Sequence, residues 1–170
     1  MAESDFIAGY QPSVLDRLIE GETTNAGNRR GYTETQILDA VRRDLEDLLN
    51  TRRPMYGELG IEGLTQVQTS VVGYGLPDFS NTRGMTDETR QAIAREVEAA
   101  IAAFEPRLAD VQVTVHDPSK MQEKLKENFQ QLAVYFHIEA KLRMEPSPPV
   151  AFETVLELAQ GRHIVRQGET

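Results

Sequence analysis

The stretch that decides the fold is residues 93–108, Ile-Ala-Arg-Glu-Val-Glu-Ala-Ala-Ile-Ala-Ala-Phe-Glu-Pro-Arg-Leu. Apolar residues recur in it every three or four positions, which predicts an amphipathic helix. The buried stripe of that helix is expected to be Ile93, Val97, Ile101 and Phe104. Because proline disfavours helical backbone at the residue before it, Pro106 predicts a helix end near Phe104 and an extended chain beyond.

The corner formed by Glu105, Pro106 and Arg107 is the first candidate site. Residues two apart in an extended chain point the same way, so we expect the Glu105 carboxylate and the Arg107 guanidinium to lie side by side. Two interpretations stay open at this point. The corner is either a docking site for a partner or an exposed turn that carries charges.

Composition restricts the class of protein. With 170 residues the chain is long enough for one domain with a proper core. The 27 acidic and 18 basic residues give a net charge of −9, which argues against nucleic-acid binding. The absence of cysteine excludes disulfides and cysteine-based zinc sites. No export signal and no apolar run of about 20 residues is present, so we expect a cytoplasmic protein without membrane insertion.

Two regions are expected, an N-terminal arm at residues 1–31 and a domain at residues 32–170. The arm contains a short amphipathic segment around Leu15 and Leu18, followed by a polar linker rich in Gly, Asn and Thr. A helix this short is marginal alone in water. Its apolar face is therefore expected to lie on its own domain or on a partner.

The clearest helix signal runs from Thr33 to about Asn50. Thr33 with Gln36 forms a capping box, and the apolar face repeats with helical spacing through Ile37, Val41, Leu45 and Leu48. Arg52 and Arg53 follow this helix. They either complement its dipole or bind a carboxylate on a partner, and both interpretations stay open.

Glycines and prolines dominate residues 55–83, which predicts loops around short apolar pieces. Gly73 and Gly75 begin like a dinucleotide-binding fingerprint, but Asp78 stands where the third glycine is required, so a nucleotide site is excluded. Thr86 and the acidic residues after it predict the cap of the next helix.

Beyond the corner the apolar period changes to two, which is typical of half-buried strands. Strands are predicted at residues 111–115, 132–143 and 150–158, with a short helix or a hairpin arm at 119–128. The prediction is an α+β fold with two main helices on a small antiparallel sheet of about three strands and an N-terminal arm. An open sheet has two edges that need pairing, so the edges are a second candidate docking surface.

Several runs of residues together resemble a known family. They are Val-Arg-Arg-Asp-Leu-Glu-Asp-Leu-Leu-Asn-Thr-Arg-Arg at 41–53, Val-Val-Gly-Tyr-Gly-Leu-Pro-Asp at 71–78, Phe-Glu-Pro-Arg-Leu at 104–108, and the later runs 137–140 and 152–154. Their order and spacing resemble TssE-type baseplate subunits of bacterial type VI secretion systems. These belong to the wider family of phage contractile-tail baseplate wedge proteins, historically called lysozyme-like.

The resemblance implies a structural protein in the cytoplasmic baseplate of a membrane-anchored bacterial injection machine. It implies that Glu105, Pro106 and Arg107 make baseplate contacts, with Arg107 bidentate to a carboxylate. It also implies that the C-terminal sheet links the wedge to the contractile sheath and templates sheath assembly by strand addition. The implied partners are other wedge subunits and sheath subunits, and no cofactor or metal is expected.

Two other classes of protein compete with this interpretation. A lysozyme-like glycoside hydrolase acting on peptidoglycan needs two carboxylates across a cleft, and 27 acidic residues alone cannot identify such a pair. No Gly-x-Ser-x-Gly motif is present, and no metal-ligand spacing links the three histidines, His116, His137 and His163. The chain is therefore not expected to be an enzyme. A free-standing regulatory binding module remains open.

Overall fold

The structure is a computed structural model that describes residues 33–60, 63–79, 86–116, 133–157 and 161–168. The chain forms two compact units, Met1–Val41 and Arg42–Thr170. The expected arm at residues 1–31 and the segment at 119–128 lie outside the described residues.

Along the chain, the described helices come first and the strands of a sheet follow. The helices are α1 (Glu34–Asn50), α2 (Tyr56–Leu59), α3 (Thr65–Gln68), a 3₁₀ turn (Val71–Gly73) and α4 (Asp87–Phe104). The strands are β1 (Leu108–His116), β2 (Ala133–Leu142), β3 (Pro149–Glu157) and β4 (Arg162–Gln167). Helix α4 packs on β1.

The start of α1 is fixed by the capping box that the sequence predicts. The Thr33 amide donates to Gln36 Oε1 over 2.9 Å, and the Gln36 amide donates to Thr33 Oγ1 over 3.3 Å. Within the first unit, Ile37 and Val41 are buried. The reciprocal bonds satisfy two amides that a helix start otherwise leaves without partners.

Helix α4 also begins and ends as predicted. Thr86 is its N-cap, and its hydroxyl accepts a hydrogen bond from the Thr89 amide over 3.2 Å. The predicted stripe is buried at Ile93, Val97 and Ile101. The last helical residue is Phe104, and the Glu105 amide still donates to Ile101. The chain then turns directly into β1.

The sheet is antiparallel with strand order β1-β2-β3-β4. This confirms the α+β fold, with four strands where about three were predicted. The additional strand β4 is short and begins and ends with polar residues, so the alternation of His163 with Val165 was too brief to detect. Strand β3 is buried on both faces, with Ala151 and Val155 on one face and Phe152 and Leu156 on the other. On β2, Tyr135 is buried although it alternates with the buried Val134 and Phe136.

The predicted loop region contains two one-turn helices and the 3₁₀ turn, and it is fastened to the end of α1. The Leu76 amide donates to the Thr51 carbonyl over 2.8 Å, and the Arg53 amide donates to the Leu76 carbonyl over 2.9 Å. Gly75 has φ +103°, and a Cβ there would lie 2.2 Å from the Thr51 carbonyl oxygen. Only glycine permits this close approach.

Asn50, the last residue of α1, is hydrogen-bonded to β4. Its Nδ2 donates to the His163 carbonyl, and its Oδ1 accepts from the His163 amide, both over 2.9 Å. The His163 ring is buried, with Nδ1 3.3 Å from the Thr154 hydroxyl and the ring stacked on Phe136. Burial disfavours the charged imidazolium and lowers the pKa of His163 to about 4.

The buried imidazole of His163 predicts a pH-dependent stability. Because its folded pKa lies below the ordinary 6.5, the unfolded chain takes up the proton first as the pH falls. The contribution of neutral His163 is therefore complete above about pH 6.5 and is lost as the pH falls toward about 4. We expect the free energy of unfolding, measured with urea, to drop by about 2 kcal/mol more between pH 7 and pH 5 in the wild type than in His163→Phe. Equal drops in the two proteins would contradict this assignment.

Candidate functional site

The corner after α4 brings Glu105 and Arg107 together. The Arg107 amide donates to Glu105 Oε1 over 3.1 Å, and its Nε donates to the same oxygen over 2.7 Å. Nη2 of Arg107 donates to Glu105 Oε2, which completes a bidentate pair. The Glu105 residue is only 4% exposed. The predicted side-by-side arrangement is confirmed, and it lies mostly inside the protein instead of on its surface.

Asp44 is the third member of this cluster. Its Oδ2 accepts a hydrogen bond from Arg107 Nη2 over 2.6 Å, which joins the second half of α1 to the corner. Sequence reasoning missed this residue, because an aspartate on the polar side of a helix has no local signal that identifies a partner 63 positions away. We call Asp44, Glu105 and Arg107 the corner cluster.

The charges of the corner cluster stabilise one another. Burial opposes the positive charge of Arg107, but hydrogen bonds and Coulomb attraction from Glu105 and Asp44 outweigh it and raise the pKa of Arg107. Tyr74 packs edge-on against Phe104 with ring centroids 5.4 Å apart. Its pKa is raised by burial and then by the negative charges of Asp47, Asp44 and Glu105. The electrostatic potential around Tyr74 is therefore negative.

The corner presents two groups outward. Pro106 is exposed at its tip, and 22% of the Arg107 side chain is accessible. Nη1 of Arg107 makes no hydrogen bond to any residue in the described part of the chain. The resemblance implied that a partner's carboxylate engages Arg107 in a bidentate way, but Glu105 already occupies its Nε and Nη2 edge. While the cluster is intact, Pro106 and Nη1 of Arg107 are the groups of residues 105–107 that face a partner.

Arg52 and Arg53 both find carboxylates within the chain. Arg52 Nη1 lies 3.0 Å from Asp78 Oδ2, and about half of its side chain is exposed. Arg53 Nη2 lies 2.7 Å from Glu96 Oε2 on α4, and its guanidinium stands over the Tyr56 ring at 4.2 Å. The Arg53 side chain is only 12% exposed. The arginines hold the segment after α1 in place, and their binding of a partner stays a prediction.

Both outer strands of the sheet have main-chain groups that side chains occupy. On β1, the Val113 amide donates to Glu98 Oε2 over 2.9 Å. On β4, Asn50 engages both main-chain groups of His163. On an outer antiparallel strand, every second residue directs its main-chain N–H and C=O groups away from the sheet. The main-chain groups of Val165 and Gln167 therefore also point outward on β4. The Gly168 amide, which donates to Ala151 over 2.9 Å, fits this alternation.

The described residues include no group of three or more His, Asp or Glu side chains arranged to hold a metal ion. The strand register does bring His116 and His137 into an edge-to-face contact, with ring centroids 5.7 Å apart. His137 Nε2 also lies 3.3 Å from Glu139 Oε1. Among the described residues, no helix is both long enough and apolar enough to cross a membrane.

Comparisons with known proteins show the family to which the chain belongs. A solved chain from "The baseplate complex from the type VI secretion system" is similar at 20% identity and a TM-score of 0.44, covering 81% of this chain and 98% of that chain. No curated protein sequence matches the chain. Residues 35–147 match the model of the family described as "Baseplate wedge protein gp25". This match includes α1 except for its first residue, the corner cluster, β1 and β2, and it covers well over half of the sequence. The chain therefore belongs to the baseplate wedge protein gp25 family, the wider family that the sequence resemblance indicated.

Proposed function

We propose that this chain is a structural subunit of a type VI secretion baseplate, where it docks on other wedge subunits through the corner at Pro106 and Arg107. The observation that supports docking is the corner cluster, a buried bidentate ion pair that fixes an exposed proline in one geometry. The type VI assignment rests on the runs of residues that resemble TssE-type subunits. In that role the protein works on the cytoplasmic side of a membrane-anchored bacterial apparatus.

A rigid corner suits a docking role for a thermodynamic reason. Binding loses free energy when flexible groups must be ordered, and a surface already fixed in its bound shape avoids that loss. Glu105 and Asp44 hold the Arg107 guanidinium before any partner arrives. Arg107 then adds a hydrogen bond from Nη1 beside the apolar surface of Pro106.

We propose further that the outer edge of β4 receives a strand from a contractile sheath subunit. An added strand needs consecutive main-chain groups that point outward. On β4, Val165 and Gln167 offer such groups beyond the segment that Asn50 occupies. On β1, Glu98 takes the outward amide of the central residue Val113. Strand addition at β4 would link the wedge to the sheath and give the first sheath ring its template.

Glycoside hydrolysis receives no support from the corner. The general acid of a glycosidase must offer a proton to the glycosidic oxygen. Glu105 is the buried carboxylate of the described residues, and both of its oxygens accept hydrogen bonds from Arg107. Its geometry is that of an ion pair that orients Arg107.

The first prediction from this proposal concerns the contribution of Arg107 to stability. Arg107→Ala leaves the Glu105 carboxylate buried without its cation, so we expect the free energy of unfolding to fall by about 3 kcal/mol. Arg52→Ala removes a partner of the half-exposed Asp78 and should lower the free energy of unfolding by less than about 1 kcal/mol. Urea denaturation of both variants measures the contrast. Equal losses would show that the corner cluster is a surface pair.

The second prediction tests docking without disturbing the cluster. Pro106→Glu places a bulky charge at the exposed tip, and we expect binding to purified wedge subunits of the same secretion system to weaken at least about tenfold. Pro149→Glu alters an exposed proline at the start of β3 and serves as the matched control. Isothermal titration calorimetry measures the affinities. Unchanged affinity of a folded Pro106→Glu variant would remove the corner from the interface.

The third prediction separates the two sheet edges. Gln167→Pro removes an outward amide from β4 but keeps the hydrogen bonds to β3, so the fold is retained. With Gln167→Pro, we expect fewer sheaths to start from reconstituted baseplates than with the wild type. Electron microscopy counts the sheaths. Val115→Pro makes the equivalent change on β1 and should leave the number unchanged. Normal sheath numbers with Gln167→Pro would contradict strand addition at β4, and a loss confined to Val115→Pro would move it to β1.

A further inference from the structure

A second arginine, Arg143, lies beside the corner cluster. It follows Leu142, the last residue of β2, and its amide donates to the Arg107 carbonyl over 2.8 Å. Arg143 Nε donates to the Leu108 carbonyl over 3.1 Å. This bond draws the side chain toward β1 and away from β3, because β1 and β3 flank β2 on opposite sides. Two arginines therefore lie side by side where β1 begins.

The guanidinium of Arg143 is open for a bidentate contact. Arg143 is exposed, and its Nη1 and Nη2 make no hydrogen bond to any residue in the described part of the chain. A carboxylate that approaches these two nitrogens accepts two parallel hydrogen bonds. Arg107 cannot offer such a pair of donors, because Glu105 holds its Nε and Nη2. The free bidentate edge next to the corner therefore belongs to Arg143.

The main chain around Arg143 is fixed on both sides. The preceding residue, Leu142, is fully buried, and its carbonyl accepts from the Met144 amide over 2.9 Å and from the Ser147 hydroxyl over 2.6 Å. The bond from Nε to the Leu108 carbonyl orients the guanidinium itself. A planar fork that is already oriented loses less freedom for each hydrogen bond it forms with a partner.

Most of the charges next to Arg143 are matched with one another. In the corner cluster, Asp44 also lies near a second cation, since its Oδ1 is 3.8 Å from Arg43 Nε.

On β1, Asp110 Oδ2 is 2.9 Å from Lys141 Nζ. Lys141 lowers the pKa of Asp110, and the charge of Arg143 contributes to a smaller degree without a hydrogen bond. Glu145, two residues after Arg143, makes no ion pair with it among the described residues. Arg143 therefore presents a cation that no carboxylate of the described chain engages directly.

We infer that Arg143 binds the carboxylate of an Asp or Glu residue on a neighbouring wedge subunit through Nη1 and Nη2. This inference rests on the proposed docking at the corner and adds the chemistry of the partner. Pro106 and Nη1 of Arg107 make their contacts beside this ion pair. A single carboxylate matches the planar fork, whereas the net charge of −9 repels extended anionic surfaces such as nucleic acid or acidic lipid.

Two substitutions of Arg143 test this contact. Arg143→Gln removes the charge, and we expect binding to purified wedge subunits of the same secretion system to weaken at least about tenfold. Arg143→Lys keeps the charge without the planar fork, so its affinity should fall at least about threefold but less than that of Arg143→Gln. Both variants lose the bond to the Leu108 carbonyl, so a purely structural arginine would weaken binding equally in the two.

Arg90→Gln is the matched control. The Arg90 side chain is 40% exposed and is paired with Asp87 at the start of α4, the opposite end of that helix from the corner. We expect this variant to bind as the wild type does. Isothermal titration calorimetry at low and at raised salt measures all four proteins, and the difference between wild type and Arg143→Gln should shrink as salt screens the ion pair.

The outcomes separate this inference from the docking proposal. Wild-type affinity for both Arg143 variants, together with weak binding by Pro106→Glu, would overturn the carboxylate contact and keep the corner. Equal weakening by Gln and Lys would overturn carboxylate recognition, and wild-type affinity for Arg143→Lys alone would overturn its bidentate geometry. Tighter binding by Arg143→Gln would contradict an acidic partner. Wild-type affinity for the Arg143 and Pro106 variants alike would overturn both proposals.

Discussion

The structure around the corner depends on neutralising one buried carboxylate. Glu105 lies where α4 stops at Pro106, and its side chain is 5% exposed, so its charge needs a partner inside the protein. Arg107 supplies that partner from two residues away, which fixes the direction in which the chain enters β1. Asp44 accepts a hydrogen bond from the same guanidinium and so joins the second half of α1 to the corner. One ion-pair cluster therefore sets a helix end, a strand start and the position of a neighbouring helix.

Further polar contacts join the end of α1 to the rest of the second unit. Asn50 is hydrogen-bonded to the outward main-chain groups of His163. Leu76 is hydrogen-bonded to Thr51 and Arg53, which forms a short parallel bridge. Hydrogen bonds of this kind specify geometry, since each requires its donor and acceptor to be aligned. The corner is held by this framework. A subunit whose contact surfaces are ordered before binding loses less free energy on assembly.

Local signals in the sequence predicted the local structure well. The capping box at Thr33, the cap at Thr86 and the stop before Pro106 each depend on residues a few positions apart, and each was confirmed. What failed depends on distant residues. Asp44 gives no sign in the sequence that it meets Arg107, and the burial of Tyr135 arises only when strands assemble. The burial of Glu105 likewise follows from tertiary packing and has no local signal in the sequence. Strand β4 was missed because two inward residues are too few to establish a period.

The most direct measurement is an electron cryomicroscopy structure of this chain bound to the other wedge subunits. We expect Arg107 to keep its bidentate pair with Glu105 in the complex, while Pro106 and Nη1 of Arg107 contact a partner. An Arg107 that left Glu105 to pair with a partner's carboxylate, or a Pro106 that stayed in solvent within the assembled wedge, would contradict the proposed docking. In the first case the corner would be a switch that opens on binding, and in the second it would serve only the fold.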